Sequence, residues 1–295
     1  MMDCSGKHTQ TGGLRQRGGK KEDLSGHPLV SIITIALNDA DHLQKTIESV
    51  LRQSYGPIEY IVIDGGSTDN TISLLRQYDA EIDYWVSEPD KGISHAFNKG
   101  VQAAGGRFVG LINAGDWYEP DTVQRVVEIF LAAPETGVVC GALQYWNKMK
   151  REYICQSVPR LLERDMTLTH PTCFVRADLY RRFGLFDEKY KFAMDYKLLL
   201  RLKVRGVRFV ALEAVLANMR HAGISEIQWK EALRETHQAR VELLPGSLFA
   251  TRGYYLFVET KRRIRIFLDK MGAGRLIAFY RSRLALVKKI KSACI

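Results

Sequence analysis

An α/β fold, built on a mostly parallel sheet with helices on both faces, is predicted by three features of the sequence. Short apolar, β-branched runs alternate with segments of helical period, which is the rhythm of strands joined by right-handed crossovers. The first run, Leu29 to Leu37, is apolar almost without interruption, as a central strand covered on both faces requires. The early runs end on polar or glycine-bearing tips, so that Asn38, Asp64, Asp90, Asn113 and Asp116 collect at one edge of the sheet. Ligands of open parallel sheets bind beyond that edge, at the carboxyl ends of the strands.

Residues 1–27 are rich in Gly, Lys, Gln and Ser, show no periodicity, and read as a disordered leader. After the first strand, Asp41 is the expected helix cap, with Gln44 three residues on and Leu43, Ile47, Val50 and Leu51 facing inward. Glu59 to Asp64 forms a second strand, and Ser67, Thr68 or Asp69 caps a helix carrying Ile72, Leu75 and Tyr78. Tyr84 to Ser87 is a third, stopped by Glu88-Pro89-Asp90-Lys91-Gly92, which leaves polar side chains displayed on a turn. Ile93, Phe97, Val101 and Ala104 then recur at helical spacing, Gly105-Gly106 closes that helix, and Phe108 to Ile112 is a fourth strand.

Asp121 opens a helix with Val123, Val126, Val127, Phe130 and Leu131 inward, and Pro134 ends it. Val138–Trp146 and Glu152–Gln156 flank the polar turn Asn147–Lys150, which predicts an antiparallel hairpin beside the parallel sheet. Residues 157–171 read as an active-site loop, Thr172–Arg176 as a short strand, and Ala177–Phe183 as a short helix stopped by Gly184. Past Asp195, a helix carrying Leu198, Leu199, Leu202 and Val204 ends at Gly206, and Arg208–Met219 is another strand. A polar helix from Ser225 to Leu244 leads to Pro245-Gly246, the expected end of the globular body.

Length and composition, 295 residues with 46% apolar and 26% charged, suit one large domain with an appendage. The predicted organisation is a leader over 1–27, a catalytic domain over 28–225 and a helical C-terminal region over 226–295. The net charge of +10 belongs to the last part: residues 251–295 hold twelve Lys or Arg against Glu259 and Asp269, and the remainder balances at 31 of each sign. A nucleic-acid partner is not expected, because the strand tips are acidic and repel phosphate unless a cation intervenes. A nucleotidyltransferase is the other rival, but Leu37–Asp41 lacks the glycine-rich phosphate loop such enzymes place after the first strand. No run of 18 uncharged apolar residues and no signal-like apolar stretch occurs, and five cysteines lack metal spacing, so a reduced, cytoplasmic setting is expected. In the tail, a helix over 275–291 sets Leu276, Ile277, Tyr280, Leu284 and Val287 against Arg281, Lys288 and Lys289, with Arg283 and Lys291 interrupting. It reads either as a helical pair packed on the body or as an attachment to an anionic membrane surface.

The runs SIITIALN, IVIDGGSTDNT, SEPDKGISHAFNKG, GLINAGDWYEPDT and FAMDYKLLLRL, in that order, resemble the family 2 glycosyltransferases of bacterial polysaccharide and lipid-linked glycan assembly. The resemblance spans residues 28–225. It implies a GT-A (Rossmann-like) fold, a nucleotide-sugar donor (most often UDP-linked), a divalent cation such as Mn2+ or Mg2+, inversion at the anomeric carbon, and a glycan or lipid-linked acceptor met at the cytoplasmic face of a membrane. Carried onto this sequence, it makes Asp195 the general base and Asp116 the metal ligand, with Asn113 and Gly115 standing where the family often has further acids. It makes Asp64 the acceptor for a uracil N–H, with Gly66 allowing close backbone approach. Ala36, Asn38 and Asn113 line the base, ribose or phosphate, and Asp90 faces the nucleoside or donor sugar. His221, in the turn after the last strand, is a weaker candidate for the metal or donor side, and His170 could face diphosphate or acceptor.

These residue types suit that chemistry. A hard cation held by carboxylates neutralises a leaving diphosphate, and a carboxylate at a helix start can be fixed to take a hydroxyl proton. Each also has a structural use that the sequence leaves open: Asp64 in an Asx turn, Asp195 as a helix cap, Asp116 in a turn, and the histidines in the core.

Overall fold

The computed structural model describes residues 9–147, 149–220, 228–244, 248–271 and 289–291. The described elements, in chain order, begin with β1 (Gln10–Gly12), β2 (Val30–Ala36), α1 (Ala40–Leu51), β3 (Ile58–Asp64), α2 (Thr71–Gln77) and β4 (Tyr84–Ser87). There follow α3 (Ile93–Ala103), β5 (Phe108–Asn113), β6 (Trp117–Tyr118), α4 (Thr122–Ala132), β7 (Thr136–Asn147), β8 (Lys150–Cys155), β9 (Phe174–Arg176) and α5 (Ala177–Phe183). The last are α6 (Met194–Val204), β10 (Arg208–Arg220), α7 (Trp229–Leu243), α8 (Leu248–Lys270) and β11 (Lys289–Lys291).

The strands form one mixed sheet in the order β1-β4-β3-β2-β5-β9-β7-β10-β6, with β8 on β7 and β11 on β8. Its heart, β4-β3-β2-β5, is parallel, and β7 pairs parallel with β10. All of β2 is buried, which is why its run is apolar throughout. Alternate residues serve opposite faces. Ile33 and Ile35 pack in the layer containing Phe97 of α3, whereas Val30 and Ile32 join Leu43 and Ile47 of α1. Each fully buried Ile is worth about 1.5–3 kcal/mol of transfer free energy, so these faces fix register as well as stability. α3 lies close to the sheet through Gly100, where a Cβ would stand 2.3 Å from Ile33 Cγ2.

From Thr9 onward the leader differs from its reading as disordered, residues 1–8 lying outside the described residues. Gln10–Gly12 pair antiparallel with Ser87–Trp85 and so cover the edge that β4 would expose. Arg15 then forms an ion pair with the buried Glu59 and donates to the Ala103 carbonyl at 2.8 Å, while Arg17 pairs with Asp79. These contacts use backbone and charge, which carry no hydrophobic period. Arg15→Ala should therefore lower unfolding stability by about 1–3 kcal/mol, because it strips the cation from a buried carboxylate. An unchanged urea midpoint would refute that role.

Two smaller expectations are also corrected. α1 begins at Ala40, one residue before Asp41, and the Ala40 N–H is taken by Asp69 Oδ2 at 3.1 Å. Lys289–Lys291 run as a strand against Tyr153–Cys155, and not as the end of a helix, since Lys-Ile-Lys alternates at period two. Residues 272–288, which hold most of the predicted tail helix, lie outside the described residues. Cys140 and Cys173 are buried free thiols. No described helix is long and apolar enough to cross a membrane.

Candidate active site

The tips of four parallel strands line up. In register, Ser87 lies beside Asp64, Asp64 beside Ala36, and Asn113 beside Ile35. Backbone bonds carry the ladder one step further: Glu88 N–H donates to the Asp64 carbonyl at 3.1 Å, Gly65 N–H to Ala36 at 2.9 Å, and Ala114 N–H to Ile35 at 3.0 Å. Ala36, Asp64, Asn113 and the loops after them thus share one edge.

Asp64 is used differently from the expectation that it meets a base. It is 0% exposed, and its carboxylate accepts from Gly66 N–H (3.1 Å), Ser67 N–H (2.9 Å), Ser87 Oγ (2.6 Å) and Ser67 Oγ. Three of these donors fall on Oδ2 and one on Oδ1, and the side chain is wholly buried, so in this arrangement the Asp64 carboxylate holds the loop together and is not open to the cleft. Gly65 and Asp90 occupy the position facing outward. A Cβ at Gly65 would meet Asp90 Oδ2 at 2.6 Å and Leu37 Cδ1 at 3.3 Å, so the bare glycine admits the Asp90 carboxylate over the strand tip. Asp90 Oδ1 accepts from Gly92 N–H at 2.7 Å, whereas Oδ2 turns to Gly65. Leu37, 58% exposed, supplies an apolar surface beside it. Asn38, at positive φ, receives Thr68 N–H on Oδ1 at 2.8 Å and donates its own N–H to Ser67 Oγ at 2.7 Å. Gly66, also at positive φ, makes the turn that carries Ser67 back onto Asp64.

A second corner forms around Asp116. The carboxylate is 5% exposed, yet Oδ2 has no hydrogen-bond partner, and neither has the buried Asn113 Oδ1. Burial pushes the Asp116 carboxyl well above the usual range; Arg220 opposes the shift and Asp39 adds to it. At Gly115, with φ +91°, a Cβ would lie 2.8 Å from Arg220 Nη2 and 3.4 Å from Asp39 Oδ2, so glycine is needed for both conformation and space. α1 fixes the loop: Thr46 Oγ1 accepts Gly115 N–H at 2.9 Å and donates to the Asp116 carbonyl at 2.6 Å. Asp39, which pairs with His42, and Arg220 were not singled out in the sequence, because their approach to Asp116 is tertiary. Two unpartnered buried oxygens with a second carboxylate close by suit a hard divalent cation. Among the described residues no group of three or more His, Cys, Asp or Glu is placed to hold a metal ion by itself. His221 lies outside the described residues.

Asp195 stands in the first turn of α6, apart from the strand-tip row. Burial raises its carboxyl above the ordinary range, His170 pulls it down, and Glu235 pushes it up slightly. His170, set by the turn His170–Thr172 and 5.3 Å ring to ring from Phe97, is in turn held below its usual range by burial, with Asp195 opposing. The predicted loop 157–171 therefore delivers His170 to Asp195. Two helices hold the segment that precedes α6. From α3, Ser94 Oγ donates to the Tyr190 carbonyl at 2.8 Å and Asn98 bonds both ways with Phe186. From α7, the Glu235 carboxylate accepts the N–H groups of Lys191, Phe192 and Ala193 at 2.8–3.1 Å. Lys197 of α6 pairs with Asp187 and with Glu242 of α7. α7 lies beyond the expected boundary at 225, yet its acids complete the cradle of Asp195.

Against known proteins, the chain is 33% identical over 184 residues to an uncharacterized glycosyltransferase of Mycobacterium tuberculosis, covering 60% of this chain and 70% of that one. It is 26% identical over 227 residues to the chondroitin synthase of Pasteurella multocida, covering 71% of this chain but 22% of the synthase. Among solved structures, the mannosyltransferase PcManGT of Pyrobaculum calidifontis, in complex with GDP-Man and Mn2+, superposes with a TM-score of 0.60 at 20% identity, over 80% of this chain and 72% of that one. Staphylococcus aureus TarS 1–349 in complex with UDP gives 0.56 at 16% identity, over 87% and 75%. At such identities the two structures speak for a shared GT-A fold. The profile described as Glycosyl transferase family 2 matches residues 31–189, more than half of the chain and all four aligned strand tips, so this protein belongs to the family 2 glycosyltransferases.

Proposed function

We propose that the protein is an inverting glycosyltransferase that moves one sugar from a nucleoside-diphosphate donor to a hydroxyl of a glycan or lipid-linked acceptor at an anionic cytoplasmic membrane surface. The observation that carries the reading is the pair of unpartnered buried oxygens, Asn113 Oδ1 and Asp116 Oδ2, at the edge where the strand tips converge. Buried acceptors left without donors cost about 1–3 kcal/mol each, and a bound cation would satisfy both.

On this reading Asp90 and Leu37 receive the nucleobase. A carboxylate only accepts, so it favours bases with an imino N–H (uracil, thymine, guanine); cytosine and adenine can donate from the exocyclic amino group, but set a ring-nitrogen lone pair against the carboxylate where the imino N–H would be. The exposed Leu37 offers an apolar face for the ring. Asp116, with Asn113 and Asp39, would hold Mn2+ or Mg2+, which supplies positive charge for the diphosphate. Asp195 takes the proton from the acceptor hydroxyl as its oxygen bonds to the anomeric carbon. The bond from that carbon to the diphosphate oxygen breaks, its electron pair leaves with the nucleoside diphosphate, and attack from the opposite face inverts the centre. The Glu235 clamp fixes the segment that leads to Asp195, and the Tyr196 N–H donates to Asp195 Oδ1 at 2.7 Å.

A donor screen tests the reading. Nucleotide release is expected from one sugar conjugate of UDP, GDP or dTDP, dependent on manganese or magnesium, and none from CDP- or ADP-sugars. Release from a CDP-sugar, or no release from any donor with acceptor-bearing membranes present, would overturn it.

A further inference from the structure

α8 wears its amphipathicity inside out. At 3.6 residues per turn its inward side carries Tyr254, Tyr255, Val258 and Arg262, and this side meets the body: Tyr254 OH donates to Asp165 Oδ2 at 3.0 Å, Arg240 stacks over Tyr254, Tyr255 meets His237, and Arg262 lies over Trp229. The outward side should be polar. Instead Leu256, Phe257, Ile264, Phe267 and Met271 fall within one arc of about 120° on the helical wheel. They are 50–67% exposed, and of the polar residues described on that arc only Thr260 and Arg263 interrupt them. Five large apolar side chains in one exposed stripe exceed what scattered surface residues produce.

We infer that the outward arc of α8 is a docking surface for an anionic lipid bilayer, entered by the apolar stripe and held by flanking cations. This rests on the reading of a membrane-presented acceptor for its purpose, and it moves the contact from the predicted helix over 275–291 to a described helix. Charge decides the occupant. Residues 251–295 carry twelve Lys or Arg against two acids, and Arg263, on the arc itself, is paired with Glu259, with its side chain still 64% exposed. A second copy would carry the same net positive segment and be repelled by it, whereas anionic headgroups complement it. A stripe of this width lying in the headgroup plane, with Lys261 and Arg263 next to it on the wheel, is how an interfacial helix binds. α8 joins the body through α7, which clamps the loop before Asp195, so docking would hold the catalytic side at the lipid surface.

The test is co-sedimentation of the full chain with vesicles of phosphatidylglycerol and phosphatidylcholine in equal parts, against phosphatidylcholine alone. Binding to the anionic vesicles at low salt, released by high salt, is expected for the wild type. The double variant Phe257→Ser/Phe267→Ser should bind at least about tenfold more weakly. Donor hydrolysis, measured without vesicles, should be unchanged in the variant, which separates this result from failure to fold and from failure of the glycosyltransferase reading. Equal pelleting of both proteins, or no pelleting of the wild type, would overturn the inference and leave the stripe to other parts of the chain. A concentration-dependent dimer in velocity sedimentation that the double variant abolishes would overturn it in favour of a second copy.

Discussion

Asp195→Asn is expected to lower kcat by about 10²- to 10⁴-fold while the donor KM stays nearly unchanged. The substitution keeps the size of the side chain but removes the acceptor of the hydroxyl proton. Its neighbours should stay in place, because the segment leading to it is held by Glu235, Ser94 and Asn98, none of which bonds to the Asp195 carboxylate. The pH profile gives a second reading. Burial raises the Asp195 carboxyl, and a base works only when ionised, so wild-type kcat should fall as the medium is acidified through a pKa above the ordinary carboxylate range. In Asp195→Asn the residual rate should lose that limb. Near-wild-type turnover, or an unchanged acid limb in the variant, would remove Asp195 from the role.

What the sequence discloses is governed by period. β2 to β5 were legible because apolar, β-branched runs between glycine-bearing tips have few other uses, and their register follows from the same alternation. β1 was not, since Gln10-Thr11-Gly12 earns its place through backbone pairing to β4 and through the Arg15–Glu59 ion pair, which joins residues 44 apart. The site divides in the same way. Asp116 and Asn113 could be named from a strand tip, but the approach of Asp39 and Arg220 depends on how α1 and β10 pack. Asp64 is instructive: its spacing from Gly66 and Ser67 is equally that of a ligand loop and of an Asx turn, and the burial of the carboxylate and its four donors, which favour the turn, are tertiary facts. The glycine that follows it was the better signal. Gly65 removes a side chain where Asp90 comes in, a complementarity between two loops that a single stretch of sequence does not display.

Asp116→Ala should weaken nucleoside-diphosphate binding in manganese by at least about tenfold, change it little in EDTA, and abolish most turnover. The asymmetry between the two conditions is the diagnostic part, because an interaction routed through the ion disappears when the ion is chelated. The loop should survive the change. Thr46 holds the residue 116 carbonyl and the Gly115 N–H, neither of which is lost with the side chain. Removing a carboxylate whose Oδ2 is buried without a partner relieves a desolvation cost that outweighs its attraction to Arg220, since the net shift of its carboxyl is upward, so the variant should be no less stable than the wild type in EDTA. Calorimetric titration with UDP or GDP, with and without manganese, measures the first expectation, and urea unfolding measures the second. An equal loss of affinity in both conditions would mean that Asp116 touches the nucleotide directly. A variant that turns over donor at the wild-type rate would end its assignment to the metal.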